Sequence, residues 1–188
     1  MIKHYIAKLI LKFRKLGYKC FNTNKNINGN YSAFQPVVLR GNGTVNFGSN
    51  VRFGVINSPM LYNTYAYIEP RHSDSKISFG NNIKINNNFS VVSEKSITIK
   101  DHVLIGYNCN ISDSNFHDLD PKKRLEQDSE TQAVIIGNNV FLGNNVTVLK
   151  GVSIGDNSVV ATGSIVTKSF PENVIIGGVP AKIIRTLD

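Results

Sequence analysis

Residues 134–169 read VIIGNN, VFLGNN, VTVLKG, VSIGDN, SVVATG and SIVTKS. Large apolar residues stand six apart at Ile136, Leu142, Val148, Ile154, Val160 and Val166. Two places before each stands Val134, Val140, Val146, Val152, Ser158 or Ser164. Residues two apart on a strand share a face, so each hexad directs one large and one small or branched side chain inward. Gly-Asn or Gly-Asp often follows the large residue, as expected of a corner needing positive φ, which Gly, Asn and Asp adopt cheaply. Unbroken repetition of short strand and corner predicts a triangular parallel β-helix with three hexads per coil. It argues against an antiparallel sandwich, whose strands would recur about every 8–12 residues.

The same beat occurs earlier in pieces. Phe47-Gly48 and Phe53-Gly54 follow Val45 and Val51; Phe79-Gly80, Ile85 and Val91 follow Ile77, Ile83 and Phe89. After a two-residue slip it resumes at Ile99, Ile105-Gly106 and Ile111, behind Ile97, Val103 and Cys109. The predicted organisation is a basic helix over 1–19, a linker over 20–35, and the β-helix over 36–170. Loops interrupt the β-helix at 55–76 and 112–133, and a C-terminal segment, 171–188, follows.

At 188 residues and 41% hydrophobic, the chain suits one compact domain. Its net charge of +8 is uneven: residues 1–20 carry six basic residues and no acid, the rest fifteen basic against thirteen acidic. A nucleic-acid-binding body would spread its basic surface over the fold, so no nucleic-acid partner is expected. Cys20 and Cys109 have no metal or disulfide spacing, which fits a reducing, cytoplasmic setting. Ile2, Tyr5, Ile6, Leu9, Ile10, Phe13 and Leu16 follow helical spacing, giving an amphipathic helix that ends near Gly17. Its lysines interrupt the apolar residues too often for a signal peptide or a spanning segment. Two fates remain open for the stripe: an anionic membrane surface, which would put the protein at the inner face of the cytoplasmic membrane, or packing on the β-helix or a neighbouring subunit.

The insertion at 112–133 contains a single histidine, His117, flanked by Asp113, Asn115 and Asp118. Long loops inside compact folds are commonly functional or disordered, and a lone histidine on a polar loop is by itself compatible with simple exposure.

The hexads, this histidine loop, the VFLGNN strand at 140–145 and the ending GVPAKIIR at 178–185 together resemble the hexapeptide-repeat acyltransferases. The likeness extends over about residues 36–187. It is greatest to the galactoside, maltose and xenobiotic O-acetyltransferases and to the O-acetyltransferases of capsule and lipopolysaccharide synthesis. It implies an all-β, left-handed β-helix, an exception to the right-handed crossover rule, assembled as a homotrimer with active sites between subunits. It implies acetyl-CoA as co-substrate and a carbohydrate hydroxyl as acceptor, with His117 as general base and the Asn144 N–H as oxyanion donor. By the same resemblance Gly143, Thr162, Thr167, Pro180, Lys182 and Arg185 attend coenzyme A, while Asn88, Asn115 and Phe141 attend the acceptor. Asp113, four residues before His117, is expected either to hold an acceptor hydroxyl or to orient the histidine, and Glu94 is a weaker candidate.

Two departures stand out. Phe141 occupies a position that is Trp in many relatives, and 61–76 fits the sugar branch poorly. His72 and His102 lack the spacing of the zinc site of related carbonic anhydrases, so no metal is expected. N-acetylation of an amino-sugar nucleotide and a non-catalytic scaffold are the alternative readings.

Overall fold

The computed structural model describes residues 2–126 and 130–188, with side chains from Tyr5 onward outside the gap. Among the described residues a helix, Ile2–Tyr18, and a 3-10 turn, Lys19–Phe21, precede twenty short strands that wind into three sheets. Up to Ile165–Val166, successive strands go to successive faces, and after the first coil each pairs in parallel with the strand one coil earlier. Ile136 stands opposite Ile154, the eighteen-residue coil that three hexads require, whereas Ile77 stands opposite Ile97 across twenty. The two extra residues are the slip seen in the repeat.

Every inward position of 134–169 is buried, from Val134 and Ile136 to Val160 and Val166. Ser158 and Ser164 fill the narrow inward slots of the last coil. Their hydroxyls donate to the Pro171 and Ala161 carbonyls and accept from the Val174 and Gly178 N–H groups. Earlier coils use larger residues: Phe47 stacks on Phe79 at 5.1 Å, and Phe53 meets Phe79 edge-on at 5.7 Å.

The corners divide their work differently from the expectation. In GNN and GDN corners the positive φ belongs to the third residue, Asn139, Asn145 or Asn157, not to the glycine. The glycine is required by contact. A Cβ on Gly137 would lie 2.5 Å from Asp156 Oδ1 and 2.8 Å from Ile154 O in the next coil. The middle residues make a ladder in which each side-chain oxygen accepts an N–H of the preceding coil: Ser49 to Asn81, Asn81 to Asp101, Asp101 to Asn138 and Asn138 to Asp156, at 2.7–3.2 Å.

Several boundaries differ from those expected. The 20–35 segment already contains strands Ile27–Asn28 and Tyr31–Ala33 of the first coil. Its asparagines cover the open edge: Asn22 Oδ1 accepts the Leu39 N–H, and Asn24 Nδ2 donates to the Arg40 and Gly43 carbonyls. The 55–76 interruption is shorter, because Ala66–Pro70 returns to the third face opposite Val37–Leu39. That strand reads AYIEP, whose alternation is masked by the tyrosines and proline around it. At the far end, Val174–Gly178 and Ala181–Thr186 form an antiparallel hairpin on the second face.

Candidate active site

Asn110–Ser112 is a strand of the third face, and the chain leaves the prism at its end. Asp113 anchors the departure. Its carboxylate accepts from Ser93 Oγ at 2.6 Å and from the Glu94 and Lys95 N–H groups at 2.7 and 3.0 Å, and it is fully buried. The acceptor contact expected of Asp113 is therefore corrected: both oxygens are engaged within the fold, and the side chain has no access to a ligand. The Asp113 carbonyl accepts the Gln132 N–H, and the Gln132 carbonyl accepts the Gly151 N–H, so the return is stitched to the departure.

Beyond this anchor, Asx turns at Asp118 and Asp120 fold the loop onto itself. The fold brings the Arg124 carbonyl 3.0 Å from His117 Nδ1. A carbonyl can only accept, so Nδ1 carries a proton, and in the neutral ring the lone pair lies on Nε2. Asn115 is exposed on the same loop.

A charged cluster supports the histidine from behind. Phe116, with φ 64°, lies under Arg71, whose guanidinium carbon is 4.3 Å from the ring centre. Arg71 also meets Glu69 at 3.3 Å and Glu94 at 3.7 Å. Glu94 bonds Ser114 Oγ, which accepts the Phe116 N–H at 2.8 Å. Glu94 thus sits in the loop's foundation, and Arg71 and Phe116 are members that the sequence did not single out. Their separation along the chain hides the contact.

The remaining candidates lie elsewhere on the prism. Phe141 projects outward from the second face between Leu104 and Val159. With Asn144, Leu104, Lys84, Asn86 and Val55 it lines a cleft of about 240 Å³. Lys84, Asn86 and Val55 were not foreseen, because register rather than motif puts them there. The Asn144 N–H donates to Thr162 Oγ1 at 3.3 Å, so the expected oxyanion donor has a local acceptor in the single chain. Gly143 packs its backbone on Thr162, where a Cβ would come within 2.7 Å of the amide nitrogen.

Thr167 is exposed at the corner leaving the third face, and Pro180, which follows a cis bond, is exposed between the two strands of the last hairpin. Lys182 and Arg185 are exposed on its final strand. Asn88 joins a corner ladder, donating to Asn108 at 2.7 Å, which donates to Asn145 at 2.8 Å. It also borders a groove of about 440 Å³ with Tyr65, Tyr67 and Ser90. In one chain, then, His117 occupies the corner after the third face, whereas Asn144 and Thr162 occupy the corner after the second. Among the described residues no group of His, Cys, Asp and Glu could hold a metal ion.

Comparison with known proteins shows the family of this fold. Over 158 residues, 80% of this chain and 76% of its relative, the sequence is 37% identical to WbbJ of Escherichia coli K12, named as a lipopolysaccharide biosynthesis O-acetyl transferase. The chain belongs to the hexapeptide-repeat acetyltransferases. The family model for the hexapeptide repeat of succinyl-transferase matches residues 133–168, the stretch with the strictest period. Identity to the galactoside O-acetyltransferase of the same bacterium is 39% over 126 residues, covering 65% of this chain and 62% of that relative. A solved structure of a galactoside acetyltransferase in complex with coenzyme A superposes with TM-score 0.57 at 27% identity, covering 95% of this chain and 82% of the other. The fold shared with these acetyltransferases is the left-handed β-helix.

Proposed function

We propose that this protein transfers the acetyl group of acetyl-CoA to a hydroxyl of a carbohydrate, as a homotrimer whose active sites lie between subunits. The observation that carries the reading is the hydrogen bond from His117 Nδ1 to the Arg124 carbonyl. A sugar hydroxyl is a poor nucleophile near neutral pH, and attack on a thioester requires its proton to leave. An imidazole held in the Nδ1–H tautomer offers Nε2 for that proton. The hydroxyl oxygen bonds to the carbonyl carbon as Nε2 takes the proton. The tetrahedral oxyanion collapses, the carbon–sulfur bond breaks, and the proton passes to the departing thiolate.

The oxyanion is held by the Asn144 N–H of the neighbouring subunit, with the Thr162 hydroxyl rotating aside. Because His117 and Asn144 occupy different corners of one chain, a second chain brings the two corners together. Thr162 and Thr167 flank the pantetheine arm, with Gly143 giving it close backbone approach and Pro180 beside the adenine. Lys182 and Arg185 hold the phosphates, which cations on an exposed strand suit. The acceptor lies in the groove bordered by Asn88, Tyr65 and Tyr67, where tyrosine rings and an amide are well matched to a sugar's apolar face and hydroxyls. Asn115 and the partner's Phe141 close the site. The product belongs to cell-envelope polysaccharide synthesis, and the reaction takes place in the cytoplasm, where acetyl-CoA is available.

Acceptor-dependent thiol release from acetyl-CoA, screened over galactosides, envelope glycans and nucleotide sugars, tests the reading. His117→Ala should lower kcat by about 10²–10⁴-fold with acetyl-CoA binding retained. Undiminished turnover in that variant, or turnover only with amino sugars, would overturn the assignment.

A further inference from the structure

The N-terminal helix docks the wrong way round for an ordinary amphipathic element. Its inner face is mixed: Ala7 and Leu11 are half-buried there, Arg14 donates to the Leu61 and Thr64 carbonyls at 3.0 and 2.9 Å, and Lys15 donates to the Ala33 carbonyl at 3.1 Å. Tyr18 completes the seat against Tyr65 at 5.2 Å. The apolar stripe points away from the prism. Tyr5 is 69% exposed, Leu9 52%, Phe13 63% and Leu16 62%. An apolar face turned outward over the helix's length requires an occupant.

Charge selects that occupant. Residues 1–68 contain nine basic residues and no acidic one; the other 120 contain twelve basic and thirteen acidic. The net charge of the chain is therefore concentrated at the helix and the first coils. Lys8 and Lys12 are exposed along one flank of the stripe, and Lys19 continues them past its end. The lysines flanking the stripe call for an anionic partner, and an anionic lipid surface complements both the apolar stripe and the lysines.

We infer that the helix is an interfacial membrane anchor, lying flat on an anionic bilayer with Leu9, Phe13 and Leu16 in the acyl boundary and Lys8, Lys12 and Lys19 among the headgroups. No helix among the described residues is long and apolar enough to cross a membrane, so the docking is peripheral. The rings Tyr18, Tyr65 and Tyr67 run from the end of the helix to the groove beside Asn88, at successive centroid distances of 5.2 and 6.4 Å. If the proposed acceptor site is correct, the anchor holds it beside the lipid surface, fitting a lipid-linked acceptor; the docking itself does not depend on that reading.

The chain contains no tryptophan, so Phe13→Trp provides a single tryptophan within the stripe, excited at wavelengths beyond the tyrosines. With this variant of the full chain, mixed phosphatidylcholine–phosphatidylserine vesicles should shift the emission to the blue and carry the protein into the pellet. Phosphatidylcholine alone should do neither. Replacing Lys8, Lys12 and Lys19 by Gln should weaken binding about fivefold per lysine, and added salt should mimic the loss. Leu9→Glu should abolish partitioning while far-ultraviolet circular dichroism stays unchanged. Absence of binding to anionic vesicles, or equal binding to neutral ones, would overturn the inference. So would a stripe variant that changes the oligomeric mass and leaves vesicle binding intact, since the stripe would then be a subunit contact. None of these readouts requires turnover, so they separate failure of the anchor from failure of the proposed reaction.

Discussion

Cys109 shows how much one position on this prism determines. It fills the inward slot that follows Ile105 and precedes Ile111 in the repeat, 1% exposed, and burial pushes its thiol up to about 11. Cys20 lies on the surface beyond the helix. Since the thiolate is the reactive form, a disulfide reagent at pH 8 should titrate one thiol rapidly in the native protein and both only after denaturation. Rapid modification of both would mean that the coil around Cys109 opens. Gly137 makes a complementary point: its corner excludes a Cβ because the next coil is already in contact, although its φ is ordinary.

Among the elements, the corner ladder links stability to pH. The Asn81 N–H holds the Asp101 carboxyl below the usual carboxylate range, and the Asn138 side-chain amide and N–H do the same for Asp156. A depressed folded-state pKa contributes stability that is present above the unfolded value and lost as pH falls through the folded one. The melting temperature of the wild type should thus exceed that of Asp101→Ala and Asp156→Ala at neutral pH, and the gap should narrow below about pH 4. A gap independent of pH would remove the charge from the explanation.

The histidine loop is an element in the same sense. Arg71, packed on Phe116 and paired with Glu94, positions the residue before His117. Arg71→Ala should lower kcat about tenfold or more through misplacement of the base, with the KM for acetyl-CoA unchanged and Arg71→Lys restoring little, since a point charge lacks the stacking plane. A rise confined to that KM would show instead that Arg71 serves the donor.

For the whole molecule, separation of His117 and Asn144 onto different corners makes the proposed site a property of the assembly. Light scattering should give three times the chain mass, and dilution below trimer dissociation should abolish turnover. A monomer with full activity would refute the shared site. The helix and the first coils carry the positive end of the prism, while the last hairpin carries the basic strand proposed for coenzyme A.

The six-residue period by itself determined the β-helix, its inward residues and the place where the loop leaves, because alternation and coil length are local and repeat unaltered. The basic amphipathic helix was equally legible, since it too is a local period. Only the tertiary structure decided what stands beside what. It made Asp113 an anchor rather than a ligand contact and brought the Arg124 carbonyl to His117. It placed Arg71 over Phe116 across 45 positions, and it turned the apolar stripe of the helix outward. None of these has a sequence period, because each depends on how the irregular excursions fold back on a regular prism, where hydrogen-bond demand and packing space, rather than neighbours in the chain, choose the partner.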